Sequence, residues 1–386
     1  MRTIAIAKSA NRRGVARWLI IAVPGDRRLA AFSAALARAG AEAPVVVPWL
    51  AVIADPACVA EAVRPDDIVR IESPGSDPTT WHALARLGGA PAELVVPAGT
   101  WRPGRWWAAG LRLALDGIAR VLAALPVMWG NDPGELRTMS DKRACRQALA
   151  AAGVPIPAGL DEVPRDPGEL RSALVGQRWS RVFVKPRWGS SGAGVIAWAR
   201  SAHAVDAQER VTTTLLPVDG QLTNTKRLRV YHDRATIDRL LAAVLADGAV
   251  VERWLPKIGV AGGPLDVRQL VIAGQACHAV ARVGRGPITN LHLDASRLAM
   301  EELLALAPEG LADDLGRLAR AVAAVFPAST YFGLDVLLDQ AWRPWVIEVN
   351  GWGDHLPRLL HHGLDTCAAE IAALDGRMPM TCAGRR

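Results

Sequence analysis

Lysine is scarce in a chain that is otherwise rich in positive charge. Of 45 basic residues only five are lysine: Lys8, Lys142, Lys185, Lys226 and Lys257. Arginine serves wherever a generic cation is wanted, and it does not freely replace lysine's compact, strongly hydrated point charge. Asparagine is as scarce, with five residues, among them Asn290 and Asn350. The five cysteines, Cys58, Cys145, Cys277, Cys367 and Cys382, are scattered, odd in number and free of any Cys-x-x-Cys pair. That excludes a disulfide framework and points to reduced thiols in a cytoplasmic protein. Phenylalanine (four) and tyrosine (two) are few against fourteen tryptophans, which are expected in the core and in pocket walls. No apolar run reaches the roughly 20 residues a membrane span requires. Asn11-Arg-Arg-Gly14 before Trp18–Val23 has the outline of a twin-arginine signal, but Pro24-Gly25-Asp26-Arg27-Arg28 cuts the run short. A signal h-region needs roughly 7–15 apolar residues, so Ala16–Val23 reads as the first buried strand. Nor is there a long basic block or zinc-finger spacing. The net charge of +7 is dispersed among acidic residues and suits an anionic nucleotide or acidic substrate better than nucleic acid.

What is present concentrates near the end of the chain. Tyr331–Asp339 and Trp345–Asn350 are apolar, strand-length runs joined by the turn Gln340-Ala-Trp-Arg-Pro344. A hairpin there sets Asp335 beside Glu348, with Asn350 two residues on and facing the same way. Such hard oxygen donors suit Mg²⁺ better than a soft metal. A carboxylate in an apolar strand has to be paired or liganded. A solvated hairpin with acids on its open face is the alternative. A second motif is the strand Arg181-Val-Phe-Val-Lys185-Pro186, followed by Arg187-Trp-Gly189-Ser190-Ser191-Gly192-Ala-Gly194-Val195 and the apolar run Ile196–Ala199. Glycines of this kind let backbone N–H groups approach phosphate oxygens, with Lys185 as a point charge at the mouth. The loop joins two strands, so it is neither a Walker loop nor a dinucleotide fingerprint.

In this order the motifs resemble the ATP-grasp superfamily, which includes glutathione synthetase, D-alanine–D-alanine ligase and the glutamate ligases that modify ribosomal protein. The resemblance covers roughly residues 131–374. Ser140-Asp-Lys142 opening a helix that ends in Gly153-Val-Pro-Ile-Pro157 resembles the family's Asp-Lys helix, which implies that Lys142 reaches the nucleotide phosphates. Lys185 and the loop containing Gly189, Ser190, Ser191, Gly192 and Gly194 match the phosphate-covering strand pair. Val250-Val-Glu252-Arg253-Trp254-Leu255 resembles the hinge that holds adenine. Asp266-Val-Arg268 resembles the strand after the hinge, with Asp266 toward ribose or metal and Arg268 toward the phosphates or acyl group. Arg282 and Asn290 fall where the family places transition-state contacts, and Lys257 is a further candidate. Asp335, Glu348 and Asn350 match the metal ligands.

The resemblance implies an α/β fold: a pre-ATP-grasp domain with a parallel sheet over residues 1–130, then a two-part grasp. Its first part, with the lid, spans 131–250, and its second, with the metal hairpin, spans 251–386. The β-α-β pattern of Ala16–Val23, Arg27–Gly40 and Ala43–Trp49 supports the parallel sheet. Further expectations are a strand at Ile68–Ile71 and helices over Trp106–Leu125, His203–Leu215, Asp233–Leu245 and Pro357–Leu374. His361 and His362 are expected on the exposed face of the last helix, and Glu72–Asp77 as either a substrate-side loop or a polar turn. Residues 1–16 read as a loose arm. The function implied is an ATP- and Mg²⁺-dependent carboxylate–amine ligase acting on an amino acid or peptide, possible as a homodimer, with neither nucleic acid nor membrane as partner. An ATP-grasp kinase acting on a hydroxyl and a non-catalytic ATP-binding regulator are the alternatives. Asn350-Gly-Trp352-Gly-Asp354-His355 departs from the Asn-x-x-Pro-Gly loop of the D-alanine ligases, so no substrate carries over, although Trp352 and His355 are candidate acceptor contacts.

Overall fold

The computed structural model describes residues 16–376 apart from 76, 95, 98, 190–191, 202–206, 261 and 290–294. Ser190, Ser191 and Asn290 therefore lie outside the described residues, as does most of the expected N-terminal arm. The chain begins with β1 (Trp18–Ala22), α1 (Arg27–Arg38), β2 (Val45–Pro48), α2 (Trp49–Ala54), α3 (Ala57–Ala62), β3 (Ile68–Ile71), α4 (Pro78–Leu87), α5 (Gly104–Leu122) and β4 (Met128–Trp129). These strands form a parallel sheet in the order β2-β1-β3-β4. β1 and β3 are buried along their whole length, as expected for parallel strands covered on both faces.

Next come α6 (Pro133–Met139), α7 (Lys142–Ala151), α8 (Pro167–Gly176), β5 (Arg181–Pro186), β6 (Ile196–Arg200), β7 (Glu209–Val218), β8 (Gln221–Tyr231), α9 (Arg234–Asp247) and β9 (Ala249–Arg253). Their sheet is antiparallel, β8-β7-β6-β5-β9. The helix expected over 203–215 is corrected here. Glu209–Val218 is strand β7, paired with both β6 and β8, and 202–206 lie outside the described residues. Thr212, Thr213 and Thr214 explain the difference, since β-branched side chains fit a pleated, packed surface better than a helix.

The last third holds β10 (Gly259–Val260), β11 (Gly263–Ile272), β12 (Gln275–Val283), β13 (Ser296–Leu298), α10 (Met300–Leu306), α11 (Leu311–Val325), β14 (Tyr331–Leu338), β15 (Pro344–Asn350) and α12 (Thr366–Leu374). Its sheet runs β13-β12-β11-β14-β15, with β10 beside β11. The expected hairpin is thus β14–β15. The closing helix is shorter than expected. Positive φ at Leu356, Arg358 and His362 keeps 356–363 out of helix, and Asp365 caps α12 by accepting from the Ala368 N–H. His361 and His362 accordingly sit on a turn before the helix, not on its face; His361 bridges to Leu364.

Two contacts tie the first unit to the middle sheet. Asn224 N–H donates to the Gly99 carbonyl (3.0 Å) and Trp101 N–H to the Leu222 carbonyl (2.7 Å). Helix α5 follows Pro103 and has no cap of its own. Buried Asp247, at the end of α9, accepts instead from Gly104 N–H (2.5 Å) and Arg105 N–H (3.2 Å). Asp247→Ala is expected to cost about 1–2 kcal/mol, as loss of a helix cap does, and thermal unfolding would show it as a lowered Tm.

Candidate functional site

The site lies between the middle and last sheets. Asp141 caps α7 by accepting from the N–H groups of Arg143 (3.0 Å) and Ala144 (3.2 Å), which leaves Lys142 on the first turn. The same carboxylate takes three hydrogen bonds of 2.7–3.0 Å from Arg187. The helix start is thereby fixed to the glycine-rich loop. Lys142 Nζ donates to the Gly189 carbonyl (2.7 Å) and lies 3.1 Å from Glu348. Within the loop, Gly194 has φ +73° and no room for a side chain: a Cβ there would stand 2.6 Å from Trp101 Nε1.

Across the last sheet the register assembles a charged row. Arg268 pairs with Asp335, Asp335 with Glu348, and Gly333 with Asn350, so the expected acid pair is in place. Between Asp335 and Val336 the register shifts, leaving Ile347 as an extra residue in β15. Bulges re-aim side chains next to functional sites. Here Ile347 lines the cavity and its carbonyl accepts from Lys185 Nζ (3.2 Å). Arg268 and Arg282 lie 2.6 and 3.1 Å from Asp335. Although burial raises the Asp335 carboxyl, these arginines hold it well below the usual carboxylate range, at about 2. Asp266 receives Arg282 (2.6 Å) and Lys257 (3.1 Å). Burial pushes the Lys257 ammonium below the ordinary lysine range.

These groups line one cavity. Lys142, Lys185, Gly189, Gly192, Glu252, Arg253, Leu255, Asp266, Arg282, Asp335 and Glu348 all reach it. Expected residues that stand elsewhere are Trp254, which packs its ring 5.1 Å from Phe183, and Asn350, which lines a second cavity. Gly194 stands against Trp101, and Arg268 reaches behind the site to the Gly353 carbonyl (3.3 Å). Glu252, expected at adenine, lines the cavity. Its two oxygens receive Arg146 (2.9 Å) and Lys185 (2.5 Å). At the hinge, Arg253 and Trp254 spend their N–H groups on the Ala158 and Arg181 carbonyls.

Five donors hold the loop after the hairpin, and sequence reasoning singled out only Arg268 among them. The carbonyls of residues 351–355 accept in turn from Asn131 (2.7 Å), Arg28, Arg268 (3.3 Å), Tyr331 (2.7 Å) and Thr366 (2.8 Å). Gly353 (φ +57°) rests on the Tyr331 ring, where a Cβ would come within 2.1 Å. The scarcity of asparagine could have flagged Asn131, but nothing in the sequence marks Arg28, Tyr331 or Thr366 for this role. Of the two candidate acceptor contacts, Trp352 lines the second cavity. His355 Nδ1 turns to Cys367 Sγ (3.3 Å). Glu72 is buried beneath, paired with Arg28 and Arg70, while Ser73 and Gly75 reach the second cavity.

A family model described as YheC/D like ATP-grasp matches residues 168–359. The chain is similar over 93% of its length to D-cycloserine synthetase DcsG (99% of that chain, 16% identity, TM-score 0.56). It is also similar over 93% to ATP-grasp ligase PsnB complexed with a minimal precursor, Mg and ADP (97% of that chain, 14%, 0.53). A further similar structure is N5-carboxyaminoimidazole synthase from Aspergillus clavatus in complex with ADP and 5-aminoimidazole ribonucleotide, matched over 95% of this chain and 78% of that one (13%, 0.53). No curated protein matches the chain in sequence. The three sheets and the likeness to these structures show an ATP-grasp fold, and residues 168–359 match the YheC/D like ATP-grasp family model. Among the described residues no helix is long and apolar enough to cross a membrane.

Proposed function

We propose that the protein is an Mg²⁺-dependent, ATP-driven carboxylate–amine ligase that forms an amide through an acyl phosphate. The observation that carries this reading is the convergence of Lys142, Lys185 and Arg282 with Asp335 and Glu348 on one cavity under a glycine-rich loop. The similar structures that hold ADP, one of them with Mg, support it by their fold and bound groups. Asp335, Glu348 and Asn350 would hold the metal. The two acids face each other across the hairpin, and neither thiol nor imidazole is among the described lining residues, as a hard cation requires. Bound there, Mg²⁺ would neutralise phosphate oxygens.

Phe183, Leu255, Leu337 and Ile347 supply apolar walls for adenine. Because the N–H groups of Arg253 and Trp254 are committed, Leu255 N–H is the hinge donor for the ring edge. Lys142, Lys185 and the loop amides spread charge from the transferring γ-phosphoryl group. A substrate carboxylate oxygen attacks phosphorus and ADP departs. An amine then attacks the acyl carbon and inorganic phosphate leaves, with Arg282 stabilising the developing oxyanion. Keeping water from the cavity would spare the acyl phosphate from hydrolysis. The acid is an amino acid or peptide.

Trapping tests this reading. Incubation with Mg·ATP, hydroxylamine and fractionated metabolites and peptides is expected to yield ADP and a hydroxamate visible by mass spectrometry. ADP with a stable phosphoester would replace the ligase by a hydroxyl kinase. Nucleotide binding without any product would favour a regulator.

A further inference from the structure

Beside this cavity lies a second, larger one. The two share Lys142, Gly189, Ala193 and Glu348, so an occupant of the second extends to the charged centre of the first. Five of the fourteen tryptophans line it: Trp81, Trp101, Trp107, Trp188 and Trp352. By contrast, only Trp18, Trp49 and Trp198 are among the largest fully buried side chains. Trp81 is itself buried, and Trp101, Trp107 and Trp352 pack one side against the core, so these indoles serve both the core and this wall.

Its charge is one-sided. Arg102 lines the cavity and is half-buried. Its guanidinium stacks 5.2 Å from the Trp81 ring centroid, and among the described residues it makes no ion pair. The other charged lining groups are Lys142 and Glu348, already paired with each other. A stacked guanidinium without a carboxylate is a receptor for an anion. The same charge repels the quaternary ammonium groups that indole cages otherwise favour.

The wall is also preorganised. Trp101 is pinned through its N–H to Leu222, and its ring meets the turn of the glycine-rich loop at Gly194. Trp188 belongs to that loop and packs against Gly104 and Gly248. Little ordering therefore remains to oppose binding of a flat ligand.

We infer that the second cavity takes an aromatic, anionic substrate, with its ring stacked among the indoles and an anionic group on Arg102. This rests on the ligase reading only for the claim that the occupant reacts; its binding does not.

The probes are 3-phenylpropionate, 3-phenylpropionamide, 3-phenylpropylamine and 3-cyclohexylpropionate, titrated into the full chain with Mg·AMP-PNP. Tryptophan fluorescence and calorimetry provide the readouts. Phenylpropionate is expected to bind saturably, about tenfold tighter than the amide, the amine and the cyclohexyl acid, since a charge-assisted bond and an aromatic stack each carry on the order of 1 kcal/mol or more. Arg102→Gln is expected to bring the acid and amide within about twofold of each other while the ring preference stays, and Trp81→Leu to reduce the ring preference. Failure of phenylpropionate to saturate, tighter binding of the amine, or an acid preference that survives in Arg102→Gln overturns the inference. If Mg·AMP-PNP binds but phenylpropionate does not, only this inference falls. If phenylpropionate binds but the nucleotide does not, the ligase reading falls and the aromatic site stands.

Discussion

Lys185→Met is expected to lower Mg·ATP-dependent ADP formation by about 10²–10³-fold, the scale for removing one preorganised donor from a developing negative charge. Lys185 Nζ lies between Glu252 and the bulged Ile347 carbonyl and faces the cavity. It therefore stands where a phosphate oxygen can take over its hydrogen bonds. Methionine keeps the length of the stem and removes the charge. Glu252 still has Arg146 at 2.9 Å, so the variant should fold with nearly unchanged Tm, which separates loss of chemistry from loss of structure. Lys185→Arg is not expected to restore the rate, because the planar fork cannot fit where a point charge sits. Steady-state ADP release checks both variants, and turnover within a few-fold of wild type in Lys185→Met would remove the residue from the phosphate site.

The largest stability effect is expected at Arg70, on β3. It is buried and donates to Glu370 of α12 at 2.7 and 3.1 Å, and to Glu72. Its guanidinium also stacks 4.2 Å from the Phe32 ring. Glu72 in turn receives Arg28 (2.9 Å), which holds the Trp352 carbonyl. Arg70→Met leaves two buried carboxylates with one cation between them. Breaking a buried ion pair from one side costs about 3–5 kcal/mol, measurable by urea unfolding. The variant should also loosen the 351–355 loop, and with it the Trp352 wall.

The same network sets a pH dependence. Burial raises the Glu72 carboxyl, but Arg70 and Arg28 outweigh burial and depress it to about 2. A depressed carboxylate contributes stability that is complete above its unfolded value and lost as pH falls toward 2. For Glu370, burial dominates and raises the carboxyl, so its part of the network protonates first on acidification. By the same linkage, proton uptake by the raised Glu370 carboxyl favours the fold, so the acid-induced loss of stability from this cluster comes from Glu72 as pH falls toward 2, and Arg70→Met should shift the acid-unfolding midpoint to higher pH.

The sequence by itself determined the elements whose chemistry is local. The spacing of Asp335 and Glu348 on two apolar runs fixed a hairpin with opposed acids, because side chains alternate at every second residue. Two of only five lysines, Lys142 and Lys185, fall where the family resemblance requires one, and the same resemblance placed Lys142 at a helix start. Tertiary structure alone decided what meets across long separations. Glu252 is local to the hinge strand, but only the fold brings Arg146 and Lys185 onto it. The strand at 209–218 was missed because strand pairing with β6 and β8 is a non-local reward that a window of sequence does not contain. The loop 351–355 shows the same limit. Its five carbonyls are satisfied by side chains from α1, the segment before α6, β11, β14 and α12, and buried carbonyls must find donors somewhere. The sequence stated that tryptophan was in excess, but only the folded chain placed five indoles and an arginine around one cavity.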